Sequence, residues 1–226
     1  PSFMPASPPK PPRARSAAPR DAYHHGALRE ALLEAAEGLL AERGLEGFSL
    51  REVARRSGVS PAAPAHHFGD AHGLLTAVAI QAFDGLREAL EAGNARGGDD
   101  PIARLREQGL GYVGFALRYP GRFGLMFRCE DNHDAQLRQS GRAAYGVLED
   151  GMRALYRLPS QAPLSATQLQ GLLAVWSVVH GFAHLQLAHQ LDDALQGAPR
   201  EAVLRNTLAP LLEQQLRGLA ADLPQG

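Results

Sequence analysis

Ser49-Leu-Arg-Glu-Val-Ala-Arg-Arg-Ser-Gly-Val-Ser-Pro-Ala-Ala-Pro-Ala-His-His-Phe68 reads as two short helices with a tight turn between them. Leu50, Val53 and Ala54 form the inner face of the first helix, and Ser49 with Glu52 three residues on is a capping box. Gly58 stops that helix. Ser60 is then expected to cap the second, with Pro61 at its first position, where a missing N–H is no loss, and Gly69-Asp70 to break it. Two such helices must cross steeply. Ala54 supplies the small residue the crossing needs, and Gly58 supplies the tolerance of positive φ that the turn needs. Val59 plugs the space beneath the turn, and Phe68 closes the second helix. The pattern predicts a helix-turn-helix whose second helix points its N-terminus into a DNA major groove.

Working outward, helical spacing continues in both directions. Upstream, Leu28, Leu32, Ala35, Ala36, Leu39 and Leu40 recur on one face, with Gly44 as the stop. Downstream, Asp70 is expected to cap a longer helix carrying Leu74, Leu75, Val78, Ala82, Phe83, Leu86 and Leu90. The polar, Gly-rich stretch 93–100 predicts a domain-scale joint. Helices are expected over 102–118, 123–129 and about 133–156, with Tyr119-Pro120-Gly121 as a turn. Ser165 opens an apolar helix reaching about His189. Pro199 opens a last one, which Pro210 should kink. No segment alternates with period two and no internal repeat is visible. The expected fold is all-α: a three-helix helix-turn-helix domain over about 23–70 and a larger helical domain over about 71–221.

The chain has 226 residues and a formal net charge of -1, so bulk charge does not announce a nucleic-acid binder. Residues 1–22 are expected to form a disordered tail. Its first nineteen residues hold seven prolines, and Lys10, Arg13, Arg15 and Arg20 face no acidic residue within the first twenty. Such an arm either adds phosphate and minor-groove contacts or is a solvated tail. No apolar run approaches the roughly 18 residues of a membrane helix, and the start lacks a secretory apolar region. A cytoplasmic protein without membrane association is expected. The single cysteine, Cys129, is read as structural.

The same residues carry a resemblance. Residues 23–90 contain Glu-Arg-Gly-Leu-Glu-Gly-Phe-Ser-Leu (42–50), Arg-Glu-Val-Ala-Arg-Arg-Ser-Gly-Val-Ser (51–60) and His-His-Phe-Gly-Asp (66–70) followed by Leu74-Leu75. This combination is similar to the N-terminal domain of the TetR family of bacterial regulators. Residues 112–127 and Trp176-Ser-Val-Val-His-Gly181 resemble the WHG type of effector domain in that family. The resemblance implies a homodimer on the two halves of a pseudo-palindromic double-stranded operator. It also implies a repressor whose operator affinity a small effector changes, without enzymatic activity. By that analogy Ser49, Arg51 and Ser60 touch phosphates or position the motif, and Pro61, Ala62, Ala63 and His66 face bases. Long polar side chains are few there, so thymine-methyl contacts and DNA shape are expected to share the reading.

Ala65 and Ala71 stand where the family commonly has a tyrosine and a lysine on phosphates, and Pro64 removes a backbone donor. His66 and His67, with His24, His25 and His72, are therefore expected to take over phosphate contact. Imidazole titrates near pH 6.5, so operator affinity measured at fixed salt should rise as the pH falls from about 8 to 6. A flat profile would remove the histidines from that role.

Other constellations stand beside this one. His180 and His184 have a metal-ligand spacing, with Glu130 or His133 as conceivable third ligands, but pocket or core-edge histidines are the simpler reading and no metal or cofactor is expected. No nucleophile elbow, phosphate-cradling loop or His-Glu-x-x-His motif is present, and Asp99-Asp100 and Asp192-Asp193 read as caps or solvated charges. Tyr112, Phe115, Phe123, Met126, Phe127, Tyr145, Met152, Trp176 and His180 are candidates for a partly apolar effector pocket, and each also suits ordinary core. Leu169, Leu172, Leu173, Val203, Leu204, Leu208, Leu211 and Leu212 are candidates for the dimer interface or the core behind it, two roles that sequence does not separate. A second reading, a helical ligand-binding or metal-sensing module with weak DNA contact, differs in salt dependence, since operator binding falls steeply with salt.

Overall fold

The computed structural model describes residues 20–128 and 134–221, with backbone alone for 20–25. Among the described residues every regular element is helical. The N-terminal part comprises α1 (Arg20–Arg43), α2 (Leu50–Arg56) and α3 (Ala63–Phe68). Then come α4 (Ala71–Gly97), α5 (Pro101–Arg118), α6 (Pro120–Met126), α7 (Ala135–Leu155) and α8 (Ala166–Leu187). The chain closes with α9 (Arg200–Val203), a π-helical stretch (Leu204–Leu208) and α10 (Ala209–Ala221), which follow one another without a break.

Two apolar cores organise these helices. The first gathers Leu32, Leu33, Ala36, Leu39 and Leu40 of α1 with Val53 of α2 and Leu74, Val78 and Ala79 of α4. Leu125 of α6 and Leu137 of α7 also belong to it. The second is larger and lies among α4 to α10, with Phe123, Met152, Leu172, Leu208, Leu212 and Leu216 fully buried. Each such side chain contributes about 1.5–3 kcal/mol relative to exposure. The 27-residue α4 runs through both cores, a rod about 40 Å long. No helix among the described residues is long and apolar enough to cross a membrane.

Several local expectations change. Residues 93–100 are not a domain-scale joint. α4 continues through Gly93 to Gly97, Gly98 turns at φ +64°, and Asp100 caps α5 by accepting from the Ile102 N–H at 3.0 Å. Gly93 is instead a packing site: a Cβ there would lie 2.6 Å from the Glu107 carbonyl oxygen, so glycine sets how closely α4 and α5 approach. Tyr119-Pro120-Gly121 is not a free turn but the start of α6, with Pro120 in the first helical turn. Pro210 follows the π-helical stretch, in which the Ala209 N–H reaches back to the Leu204 carbonyl. Proline has no N–H for the carbonyl of residue 206, and the register widens by one residue just before it. α1 starts at Arg20, earlier than Tyr23. The tail before residue 20, and Cys129, Glu130 and His133, lie outside the described residues.

The second core also holds a buried carboxylate. Glu107 on α5 meets Arg96 of α4, Arg106 of its own helix, and Arg205 of the π-helical stretch at 3.3, 3.6 and 3.3 Å. A buried charge is tolerable only when paired, and this one pins three elements together.

Candidate DNA-binding face and ligand cavity

The helix-turn-helix rests on α1 through named bonds. Ser57 Oγ donates to the Ala31 carbonyl at 3.3 Å, and the Val59 N–H donates to the Ala54 carbonyl at 3.0 Å, which closes the turn over the buried Ala54. Gly58 adopts φ +67°, a backbone that L side chains rarely occupy. Two caps expected from sequence are absent. Ser49 is the N-cap of α2, but its side chain makes no cap bond and Glu52 does not reach back. Arg55 donates to the Glu52 carboxylate at 2.8 and 2.7 Å and Arg56 at 3.2 Å. These guanidiniums hold the Glu52 carboxyl down at about pKa 2, so it stays ionised among cations rather than turning to a backbone N–H. Arg56 also grips Glu42 of α1 at 2.9 and 2.5 Å. Ser60 does not cap α3 by side chain either. Its carbonyl accepts from the Ala63 N–H at 3.0 Å in a turn, and α3 begins at Ala63, two residues later than Pro61. Pro64 therefore falls in the first turn of α3, where its missing donor leaves no helical bond unmade, and it is buried.

What remains on the outside is a compact surface. Ser49, Arg51, Ser60, Pro61, Ala62, Ala65 and His66 are exposed and Ala63 is half-buried. Arg55 and Arg56 are committed to Glu52 and Glu42, whereas Arg51 makes no ion pair among the described residues. His67 is half-buried, its ring 5.6 Å from that of His66 and 6.3 Å from Phe68. Arg29 of α1 lies over the Phe68 ring at 5.2 Å, a cation–π contact that ties α3 to α1. His72 is exposed at the start of α4, with Nε2 3.5 Å from Thr76 Oγ1. The backbone of His24 and His25 lies in α1, and their side chains lie outside the described residues. Asp70 caps α4 as expected, accepting from the Gly73 N–H at 2.8 Å.

Inside the larger part is a cavity of about 490 Å³, walled by α4, α5, α7 and α8 and by Met126 and Phe127 at the end of α6. Of the effector-pocket candidates, Tyr112, Met126, Phe127, Tyr145 and Trp176 line it. Phe115, Phe123, Met152 and His180 do not. Phe123 and Met152 are fully buried core, and Phe115 packs toward Tyr119 and Gly85. His180 stands behind the wall: its Nδ1 shares a 2.8 Å hydrogen bond with Tyr112 Oη, and its ring packs on Phe127 at 4.7 Å. Burial raises the pKa of the Tyr112 hydroxyl, and burial, with neighbouring His184 as the smaller cause, lowers that of His180. Among the described residues no group of three or more His, Cys, Asp or Glu could hold a metal ion. The sequence reading misses Phe83, Leu86 and Leu90 of α4, and the polar Gln108, Arg138 and Arg142. Only the three-dimensional crossing of α4, α5 and α7 turns these toward one space.

A helix-turn-helix carried on a larger helical domain defines a DNA-binding transcriptional regulator. Comparison with known proteins agrees. Residues 32–78 match the bacterial regulatory proteins of the tetR family, and residues 105–211 match the tetracyclin repressor-like C-terminal domain. The chain belongs to the TetR family, a family of regulators rather than enzymes. Over 78 residues it is 37% identical to the HTH-type transcriptional regulator BetI of Stenotrophomonas maltophilia. That stretch is 34% of this chain and 40% of the relative, so it spans less than half of the relative's length. Over 192 residues, 80% of each chain, it is 25% identical to the HTH-type transcriptional regulator Rv0681 of Mycobacterium tuberculosis. A solved structure of a protein from Rhodococcus sp. RHA1 is 31% identical with a TM-score of 0.69, covering 88% of this chain and 98% of that one.

Proposed function

We propose that this regulator is a cytoplasmic homodimeric repressor that holds a pseudo-palindromic operator and releases it when a small, partly apolar effector fills the cavity. The DNA-contacting part is residues 23–70, and residues 71–221 dimerise and hold the effector. Ser49, Arg51 and Ser60 touch phosphates, with His24, His25, His67 and His72 adding to them. Pro61, Ala62, Ala63 and His66 face base edges.

The observation that carries this reading is the sharing of elements between the two ends. α4 begins directly after α3 and, further along, presents Phe83, Leu86 and Leu90 to the cavity. α6 gives Met126 to the cavity wall and Leu125 to the first core. It also rests on α1, through the Arg122–Glu37 ion pair and through Gly121, where a Cβ would lie 2.8 Å from the Ala41 nitrogen. A ligand that displaces α4 or α6 must therefore move the recognition helix. It shifts the population between two separations of the paired helices by its differential affinity for them. The leucines and the valine that are candidates for the dimer face divide cleanly. Leu172, Val203, Leu208 and Leu212 are buried within the subunit, Leu204 is half-buried, and Leu169, Leu173 and Leu211 are 42%, 43% and 41% exposed. The exposed ones lie on α8 and α10 and are the surface we assign to the partner subunit.

Arg51→Ala tests the DNA face. Loss of one phosphate contact should weaken operator and non-operator DNA alike by about tenfold, and reduce the slope of log affinity against log salt by about 1 per subunit. An unchanged affinity and slope in a mobility-shift titration would take Arg51 off the DNA.

A further inference from the structure

Resting on the reading of the helix-turn-helix as a DNA contact, we propose that residues 10–15 form an arm that lies in the minor groove beside the recognition helix, on A·T pairs, and brings the DNA most of the subunit's positive charge. The first observation is a shortage. Residues 20–70 hold six arginines, no lysine and eight carboxylates, so at neutral pH the folded module is acidic toward a polyanion. Its arginines are also engaged. Arg55 and Arg56 pair with Glu52 and Glu42, and Arg43 lies 3.9 Å from Glu52. Arg29 lies 3.9 Å from Glu30 and over the Phe68 ring. Among the arginines of this part whose side chains are described, only Arg51 makes no ion pair. Affinity for duplex DNA rests on the number of phosphates neutralised, and one cation per subunit neutralises few.

The second observation is where the missing charge stands. Residues 1–19 contain Lys10, Arg13 and Arg15 and no carboxylate, and they lead directly into α1 at Arg20. The N-terminal half of α1 rests on the helix-turn-helix: the Ala31 carbonyl accepts from Ser57, and Arg29 covers Phe68 at the end of α3. The other end of α1 rests on α6, where a Cβ at Gly121 would meet the Ala41 nitrogen. The basic segment therefore departs from the end of α1 on the DNA side. Arg15 and Arg13 stand five and seven residues before Arg20, a reach of up to about 18 and 25 Å. The minor groove next to the contacted major groove is half a helical turn, about 17 Å, along the duplex. Arginine favours that groove where A·T pairs narrow it and deepen its negative potential, whereas guanine places an N2 amino group on its floor. The seven prolines of residues 1–19 reduce the conformational entropy that an arm loses on settling there.

The test compares the full chain with its triple variant Lys10→Gln, Arg13→Gln, Arg15→Gln on fluorescein-labelled duplexes of alternating dA-dT, dI-dC and dG-dC, read by anisotropy across a salt series. Inosine lacks the N2 amino group of guanine. The dI-dC duplex thus joins the minor groove of A·T pairs to the major groove of G·C pairs, and separates the arm from thymine-methyl contacts of the recognition helix. The native chain should bind the dA-dT and dI-dC duplexes about tenfold more tightly than dG-dC. The triple variant should bind all three alike, and its slope of log affinity against log salt should be smaller by about 3 per subunit. Its melting temperature should match the native one, because the three positions precede the first helix. An unchanged slope would leave the tail solvated and overturn the proposal. A smaller slope with the groove preference retained in the variant, or with none in the native chain, would put the cations on phosphates and overturn the minor-groove arm. Binding of no duplex by either protein at low salt would instead bring down the DNA contact itself.

Discussion

The double substitution Leu169→Glu with Leu173→Glu should turn the protein into a monomer that holds a palindromic operator at least about a hundredfold more weakly. The two side chains lie one helical turn apart on α8 and are 42% and 43% exposed, while Leu172 between them is fully buried in the second core. The substitutions therefore leave the subunit core untouched and place four like charges across a two-fold contact. Burying an unpaired carboxylate in an apolar interface costs far more than the interface can return. Each monomer would keep its recognition helix but lose the second half-site, whose contribution to a bivalent complex is typically about 10²–10⁴ in affinity. Sedimentation velocity and operator titration on the same sample check the two halves of the expectation. A persistent dimer would move the interface elsewhere. A monomer with native affinity would remove the need for one.

Leucine in place of Gly93 is expected to lower the melting temperature by about 2–12 °C. The first carbon added there would lie 2.6 Å from the Glu107 carbonyl oxygen and 2.8 Å from the Gln108 nitrogen. Both are backbone atoms of α5 and cannot rotate away, so the helices must part. Gly97, which lies against the Arg104 backbone, and Gly111, where a Cβ would lie 2.6 Å from the Ala89 carbonyl oxygen, keep the same seam close. Overpacking of this kind costs about 1–3 kcal/mol, out of a total of about 5–15, and each kcal/mol shifts the midpoint by about 2–4 °C in a chain of this size. Gly114, on the same helix α5, is different: a Cβ added there would meet nothing within 4 Å. Gly114→Ala should therefore raise stability by about 0.5–1 kcal/mol through helix propensity. Thermal melts followed by circular dichroism separate the two. A Gly93→Leu protein as stable as the native one would mean that the seam is not held by glycine.

The contrast between what is legible in the sequence and what is not follows from the range of the interactions. Helix existence and type are legible because apolar spacing is local: Leu32, Leu39, Val53, Leu74 and Val78 point inward by period and are buried. Gly58 and Asp70 are legible because a turn and a cap involve neighbours in sequence. The Ser49–Glu52 box fails because Glu52 has stronger, partly non-local partners in Arg55, Arg56 and the Arg56–Glu42 link to α1. The joint at 93–100 fails because glycines that pack two helices together look, in sequence, like glycines that separate two domains. The aromatic residues of the second part do gather in one region, but whether Phe123 or Phe127 faces a void depends on side-chain direction relative to three other helices. That information is not periodic. Gln108, Arg138 and Arg142 give no local signal at all, since a glutamine or arginine on a helix is ordinarily a solvated side chain.

Selection of bound sequences from a random duplex library tests the central claim most directly. The account predicts enrichment of two inverted half-sites about one helical turn apart, bound with an affinity that falls steeply as salt rises. Recovery of no enriched sequence, or of a single half-site without inverted symmetry, would contradict it.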